Sequence, residues 1–346
     1  MRSRLSGYIL SRSMSRTDRV SLIERIEKAR GSRVISVFLG DRPGAETRIA
    51  PDLIPRMARY LREIGKVHSI DIFLYSTGGE IMSGYRVVSL VREYCKKFSV
   101  LVPFRCQSTA TLLALGADEI VMSPEGQLSP VDPSINGPYN PLIPGISSFQ
   151  PGQPLPVLPV SVEEVVSYVK LAKEVGGLKE EAGLASAFER LTADVRPLAL
   201  GQVYRAREQI RMLSRKLLES HMKESEAKRI EKMVATLTEE LYSHDYLISR
   251  QEAKLIGLPV IEPASELEQA MVQLFETYAA DLSLWDQFNP LFELQKSGAQ
   301  NSRMTVERAY IETTASGEAF ITERTVSVQP DGTLGDVIHN EGWKPL

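Results

Sequence analysis

An alternation of apolar runs and helix-like segments between residues 33 and 122 constrains the fold of this chain more than any other feature. Short runs rich in β-branched and apolar residues predict buried strands at 33–39, 69–75, 99–104 and 119–122. Helical spacing of apolar residues predicts helices at 19–30, 50–64, 81–94 and 109–117. Strands that alternate with helices pair in parallel through right-handed crossovers. The sequence therefore predicts an α/β fold with a mostly parallel sheet.

The amino-acid composition changes after the fourth predicted strand. Ten of the 20 prolines lie between Pro124 and Pro159, and proline cannot donate to a strand ladder. This stretch is predicted to be a long loop. The loop could line or cover a substrate groove, or it could be a partly disordered surface loop. Residues 162–242 are predicted to be largely helical, 289–301 to be a linker, and the residues from Thr305 onward to be strand-like.

These patterns predict three regions along the chain. Residues 1–32 form an N-terminal arm and helix, and residues 33–288 form the main domain. The main domain includes the proline-rich loop at 124–160 and the helical segment at 162–242. Residues 302–346 form a small β-rich C-terminal extension.

Composition narrows the classes of function. The formal net charge of -3 gives no sign of a nucleic-acid or anionic-membrane surface. Cys95 and Cys106 are too few for a disulfide framework and are expected to be buried free thiols. No apolar run reaches the roughly 18 residues of a membrane span, so we expect a cytoplasmic protein. No zinc spacing, phosphate loop or dinucleotide fingerprint is present, so we expect neither a metal nor a cofactor.

Two loops follow predicted strands, at the sheet edge where α/β folds place functional loops. The first runs from Ser76 to Gly79, and its adjacent glycines allow close backbone approach and expose N–H groups. The second contains Ser108 between a strand and a helix, where a nucleophile would lie beside backbone donors. Taken singly, Ser108 is also a good helix N-cap and the two glycines an ordinary turn.

The order of these segments adds a resemblance. The run from Ile70 to Met122, with Ser-Thr-Gly-Gly after one strand and Gln-Ser-Thr-Ala after another, resembles the Clp/crotonase superfamily. It is similar to the Clp protease proteolytic subunit and to signal peptide peptidase A. With Leu-Ser-Pro-Val-Asp-Pro at 128–133 and Ser-His-Asp-Tyr-Leu-Ile-Ser-Arg at 243–250, residues 33–262 most resemble the SDH-type (serine dehydrogenase proteinase) Clp-fold serine proteinases.

That resemblance implies a spiral of ββα units with a helical C-terminal half and a small strand-rich tail. It implies Ser108 as the nucleophile of a serine peptidase. It also implies an oxyanion hole made by the backbone N–H of Gly78 or Gly79 together with that of Thr109.

The residue that activates the serine is less clearly marked. His244 is the best base among four histidines, and Asp132 is the residue that would orient it; the order Ser–Asp–His is acceptable because geometry defines a triad. A turn role for Asp132 and a capping role for His244 remain open. Asp245 is an alternative orienting residue. Lys170 or Lys173 could instead form a Ser–Lys dyad, which would require burial of the lysine.

Three functions stay open at this point. The leading one is an ATP-independent serine endopeptidase that acts on peptides or unfolded proteins. The others are a catalytically degenerate Clp-fold scaffold that binds peptides, and a crotonase-like acyl-CoA enzyme. The resemblance implies a homo-oligomer, built as a ring or from trimers, whereas no nucleic-acid partner and no membrane span are expected.

Overall fold

The structure is a computed structural model that describes residues 15–131, 134–135, 139–143, 157–158, 160–241, 243, 245–329 and 333–346. The chain forms two compact units. One comprises Met1–Leu128 with Ile248–Leu346, and the other comprises Ser129–Leu247. These units divide the chain at different positions from the three regions predicted from the sequence.

The described strands are β1 Arg33–Leu39, β2 Val67–Tyr75, β3 Cys95–Val102, β4 Arg105–Cys106, β5 Glu119–Met122, β6 Gln127–Leu128, β7 Ser134–Ile135, β8 Val160–Ser161, β9 Ile248–Ser249, β10 Val260–Ile261, β11 Asn301–Glu312, β12 Gly317–Val328 and β13 Leu334–Pro345. The described α-helices are α1 Arg16–Arg30, α2 Leu53–Ile64, α3 Ile81–Arg92, α4 Thr109–Leu115, α5 Val162–Lys170, α6 Glu181–Asp194, α7 Pro197–Glu219, α8 Ala227–Ala235, α9 Arg250–Ile256, α10 Ser265–Asp281 and α11 Pro290–Ser297.

A single large sheet organises the first unit, in the order β10-β5-β3-β2-β1-β11-β12-β13. The strands from β10 to β1 pair in parallel, whereas β11, β12 and β13 are antiparallel. This arrangement confirms the α/β class and the mostly parallel pairing of the N-terminal strands. The spiral of ββα units stays a prediction.

Both faces of the parallel strands are buried, as their continuous apolar sequence requires. On one face α1 and α10 pack against an aromatic core in which the ring of Phe38 stacks on Tyr75 and on Tyr278, at centroid distances of 4.3 and 4.8 Å. Strand residues that point to the opposite face, such as Ile35 and Ile72, are also fully buried. The rigid sheet fixes the loops at its carboxyl edge.

A buried ion pair ties the N-terminal helix to the antiparallel strands. The Arg19 guanidinium donates to Glu312 at 2.7 Å and to Asp281 at 2.5 Å, and the Tyr278 hydroxyl also donates to Glu312 at 2.8 Å. All four residues are buried or nearly so. Because a buried charge requires a partner, these contacts fix α1 against α10 and β11.

The second unit is mainly helical, as predicted for residues 162–242. It contains helices α5 to α8, the short pair β7–β8, and π-helical segments at Leu171–Val175 and Thr236–Glu240. Its small core includes the buried Val160 and Val203 with the half-buried Val165.

The C-terminal region corrects one prediction. The predicted linker at 289–301 contains helix α11, because the Asn289 side chain accepts hydrogen bonds from the N–H groups of Leu291 and Phe292, and Pro290 occupies the first helical position. Strand β13 lies within the region predicted to be strand-like from Thr305 onward. Its sequence carries several polar and charged residues because it is the exposed edge of the sheet.

Candidate active site

The two loops singled out in the sequence lie side by side. The Ser76 N–H donates to the Arg105 carbonyl, and the Gln107 N–H donates to the Ser76 carbonyl, both at 3.0 Å. These bonds form a parallel bridge between Ser76 and Cys106. The turn after β2 and the segment that leads into α4 are therefore fixed to each other by backbone contacts, as the parallel sheet predicted.

Ser108 has the backbone geometry of a strained turn. It precedes α4 with φ 52° and ψ −118°, and its side chain makes no capping hydrogen bond to that helix. An ordinary N-cap has extended φ and ψ and accepts a bond from the helix, so capping does not explain this serine. A positive φ in a residue with a side chain costs on the order of 1–3 kcal/mol and is concentrated at functional sites.

Gly78 makes room for the Ser108 side chain. A Cβ at Gly78, whose φ is +113°, would lie 2.8 Å from the Ser108 Cβ and 3.1 Å from its Oγ. Any larger residue would push against the serine. The Gly78 N–H donates to the Ser76 hydroxyl at 3.0 Å, which curls the loop into a compact turn.

Gly79 is required for a different reason. A Cβ there would lie 2.1 Å from the Ile49 carbonyl oxygen, because Ile49 pairs with this loop through its backbone. The Ile49 N–H donates to the Gly78 carbonyl and the Glu80 N–H donates to the Ile49 carbonyl, both at 2.8 Å. Ile49 could not be found from the sequence, since it lies outside any motif and contributes main-chain atoms to the site.

Two backbone donors beside the serine have no acceptor within the part of the chain that the structure describes. They are the N–H groups of Gly79 and of Thr109. Thr109 is the first residue of α4, so its N–H has no acceptor within the helix. Of the two glycines considered in the sequence, Gly79 is the better donor because the Gly78 N–H is already bonded to Ser76.

A polar cluster anchors the strand that leads to Ser108. The Arg105 guanidinium contacts the Asp41 carboxylate, and the Tyr75 hydroxyl donates to the same carboxylate at 2.6 Å. Burial and the neighbouring charge of Asp41 raise the pKa of Tyr75, so the phenol stays protonated. These contacts connect the ends of β1, β2 and β4 close to the candidate site.

The residues predicted to activate Ser108 fall into two groups. Asp132 and His244 both lie outside the described residues. The alternatives belong to the second unit: Asp245 is exposed, Lys170 is half-buried at the end of α5, and Lys173 is exposed in the π-helical segment. A lysine base would require burial, and Lys173 is exposed.

One of the two cysteines is buried as expected, whereas Cys95 is only half-buried. Cys106 is fully buried two residues before Ser108, and burial raises the pKa of its thiol well above the ordinary value. Burial also raises the pKa of Cys95 to about 11. Neither thiol is therefore a competing nucleophile at neutral pH.

Within the described residues, no group of three or more His, Cys, Asp or Glu side chains is arranged to hold a metal ion. None of the helices in the described ranges is both long enough and apolar enough to cross a membrane.

A match to a known protein family agrees with a site built around Ser108. Residues 8–146 match the sequence model of a family described as ClpP-like SDH-type serine proteinase. This match confirms the resemblance predicted from the sequence. It includes Ser108, both glycines, Thr109 and Asp132, whereas His244 lies beyond it.

Two uncharacterised proteins of Methanocaldococcus jannaschii are similar in sequence. One is 28% identical over 218 residues, which are 63% of this chain and 62% of that protein. The other is 29% identical over 125 residues, which are 34% of this chain and 42% of that protein. The chain thus spans less than two thirds of either relative. A solved structure of ClpP1 from Listeria monocytogenes superposes with a TM-score of 0.34 at 14% identity, over 71% of this chain and 97% of that one.

Proposed function

We propose that this protein is a serine endopeptidase that hydrolyses peptides or unfolded proteins through an acyl-enzyme on Ser108. The observation that carries the proposal is the strained backbone of Ser108, held against Gly78 at a strand-to-helix turn. Such a turn presents a serine hydroxyl beside backbone donors, which is the arrangement that acyl transfer needs. The match to a serine proteinase family over the same residues supports it.

The chemistry follows from the groups around the serine. The Ser108 oxygen attacks the peptide carbonyl carbon as its proton passes to a base, and the carbonyl π electrons move onto the oxygen. The Gly79 and Thr109 N–H groups would donate to that oxyanion. Collapse breaks the C–N bond and the amine leaves with the proton from the base. Water then attacks the acyl-enzyme in the same way and releases the acid and Ser108.

His244 is the base in this proposal, and Asp132 holds its ring in the correct tautomer. The support is their sequence context together with the exposure of Lys173. Hydrolysis with a histidine base needs the neutral imidazole, so kcat/KM should rise with pH through about 6.5 and then level off. A lysine base would move this rise to a higher pH.

The pH profile of each variant separates these bases. Replacing His244 by Gln should remove the rise near neutrality and lower kcat by several orders of magnitude. Replacing Lys170 or Lys173 by Met should leave the profile in place. The opposite pattern would assign the base to a lysine. If Asp245→Asn lowered kcat as much as Asp132→Asn, the assignment of Asp132 as the orienting residue would be contradicted.

The functional test is hydrolysis of an unfolded protein and of fluorogenic peptides without ATP. We expect the wild-type protein to cleave them and Ser108→Ala to lose at least about 1,000-fold in kcat/KM. Ser89→Ala on α3 is the matched control, because this half-buried hydroxyl donates to the Tyr85 carbonyl of its own helix and lies outside the candidate site. Equal activity of wild type and Ser108→Ala would exclude the serine mechanism. Turnover of coenzyme A thioesters in place of peptides would point to the acyl-CoA alternative.

We also propose that the protein assembles into a homo-oligomer, as the family resemblance implies. Sedimentation at several concentrations measures the assembly directly. A monomer at all concentrations would refute it.

A further inference from the structure

Thr109 carries a side-chain contact that capping and core packing do not require. It is fully buried, and its hydroxyl donates to the carbonyl oxygen of Gly79 at 2.7 Å. The bond connects the residue after the candidate nucleophile to the glycine loop, 30 positions earlier in the sequence. In the proposed mechanism, these two residues supply the two oxyanion donors.

The methyl group of Thr109 is accommodated just as closely. Gly84 is the fourth residue of α3, and a Cβ there would lie only 2.6 Å from the Thr109 Cγ2. Glycine within a helix costs roughly 1 kcal/mol relative to alanine, so Gly84 is explained by the close approach of this methyl group. The side chain of Thr109 is therefore held in one position.

The contact completes the anchoring of Gly79. The peptide between Gly78 and Gly79 is fixed by the Ile49 N–H, which bonds the Gly78 carbonyl. The peptide between Gly79 and Glu80 is fixed at both ends, by the Ile49 carbonyl and by the Thr109 hydroxyl. Because a peptide is planar, anchoring both peptides fixes the direction of the Gly79 N–H.

We propose that the Thr109 hydroxyl is a positioning residue for the oxyanion hole, which aligns the Gly79 donor with the donor on Thr109's own backbone. The proposal rests on the proposed function. Misaligned donors lose most of their stabilisation of the transition state while substrate binding is kept, so the effect should fall on kcat and not on KM.

The experiment compares Thr109→Val with Thr109→Ser. Valine keeps the shape but removes the hydroxyl, whereas serine keeps the hydroxyl and removes the methyl group. With a fluorogenic peptide, we expect Thr109→Val to lower kcat about 10- to 100-fold with KM within about twofold, and Thr109→Ser to stay within about threefold of wild type. The affinity for a peptide aldehyde, whose adduct carries the oxyanion, should fall with kcat/KM.

Two kinetic outcomes overturn the inference. Equal losses in Thr109→Val and Thr109→Ser would assign the effect to packing, and wild-type kinetics in Thr109→Val would show that the hydroxyl is dispensable. Amide hydrogen exchange over residues 76–81 should be faster in Thr109→Val alone. If the wild-type protein proves unreactive, the proposed function fails, and the exchange measurement still decides whether the hydroxyl fixes the loop.

Discussion

Replacing Gly78 by Ala perturbs the contact on which the candidate site depends. The new Cβ would lie 2.8 Å from the Ser108 Cβ, closer than real Cβ atoms approach, and a tight 3.1 Å from the Gln107 carbonyl oxygen. The φ of +113° adds strain of about 1–3 kcal/mol, and the overpacking adds about 1–3 kcal/mol. The total destabilisation is therefore about 2–6 kcal/mol.

Gly65→Ala is the matched control for this prediction. Gly65 also has a positive φ, +74°, but a Cβ there would meet no atom within 4 Å. It should therefore show the strain of about 1–3 kcal/mol without the clash. The difference between the two variants isolates the contact with Ser108.

Denaturant unfolding and peptide hydrolysis measure the two consequences. We expect Gly78→Ala to be less stable than Gly65→Ala. Under conditions where circular dichroism shows that it stays folded, Gly78→Ala should lose about 100-fold in kcat/KM, because a displacement of about 1 Å at a nucleophile has this effect. Gly65→Ala should retain wild-type activity. Equal stability and equal activity of the two variants would refute the close packing of Gly78 against Ser108.

Further predictions concern regions away from the glycine loop. Burial alone would raise the pKa of Glu119, but the hydrogen bonds and charges of Lys97, at 2.5 Å, and Arg30, at 2.9 Å, outweigh it and lower that pKa. The stabilisation from ionised Glu119 is complete above its unfolded pKa of about 4.3 and is lost as the pH falls through its folded pKa. The free energy of unfolding of wild type should therefore exceed that of Glu119→Gln by a margin that shrinks between about pH 5 and pH 3. A margin that stays constant over this range would contradict the prediction. Iodoacetamide at pH 8 should leave Cys106 unmodified in the folded protein and modify it after denaturation, as read by peptide mass; labelling in the folded state would contradict its burial.

Much of the fold could be predicted because local sequence and tertiary structure agree. The strands at Arg33–Leu39 and Glu119–Met122 have the predicted bounds, since an apolar run defines each. The helix at 290–297 was missed although Asn289 and Pro290 are good N-terminal signals, because the segment is short and its spacing weak. Edge strand β13 lies in the region predicted to be strand-like, but it has no apolar alternation that would define its bounds.

The candidate site could be predicted only in part. The sequence indicated that Ser108 and the glycine loop would meet, because carboxyl ends of neighbouring parallel strands share one edge of a sheet. It could not reveal the positive φ of Ser108 or the roles of Ile49 and of the Thr109 hydroxyl, which depend on contacts between residues distant in the chain. Asp132 and His244 remain predictions from sequence and resemblance.

The central claim is that Ser108 is an activated nucleophile, and a fluorophosphonate probe tests it most directly. The wild-type protein should gain one covalent phosphonyl group per chain, and peptide mass spectrometry should place it on the Ser108 hydroxyl. Ser108→Ala should gain none under the same conditions, while Ser89→Ala labels like wild type. An unlabelled wild-type protein, or an adduct on any other residue, would contradict the account.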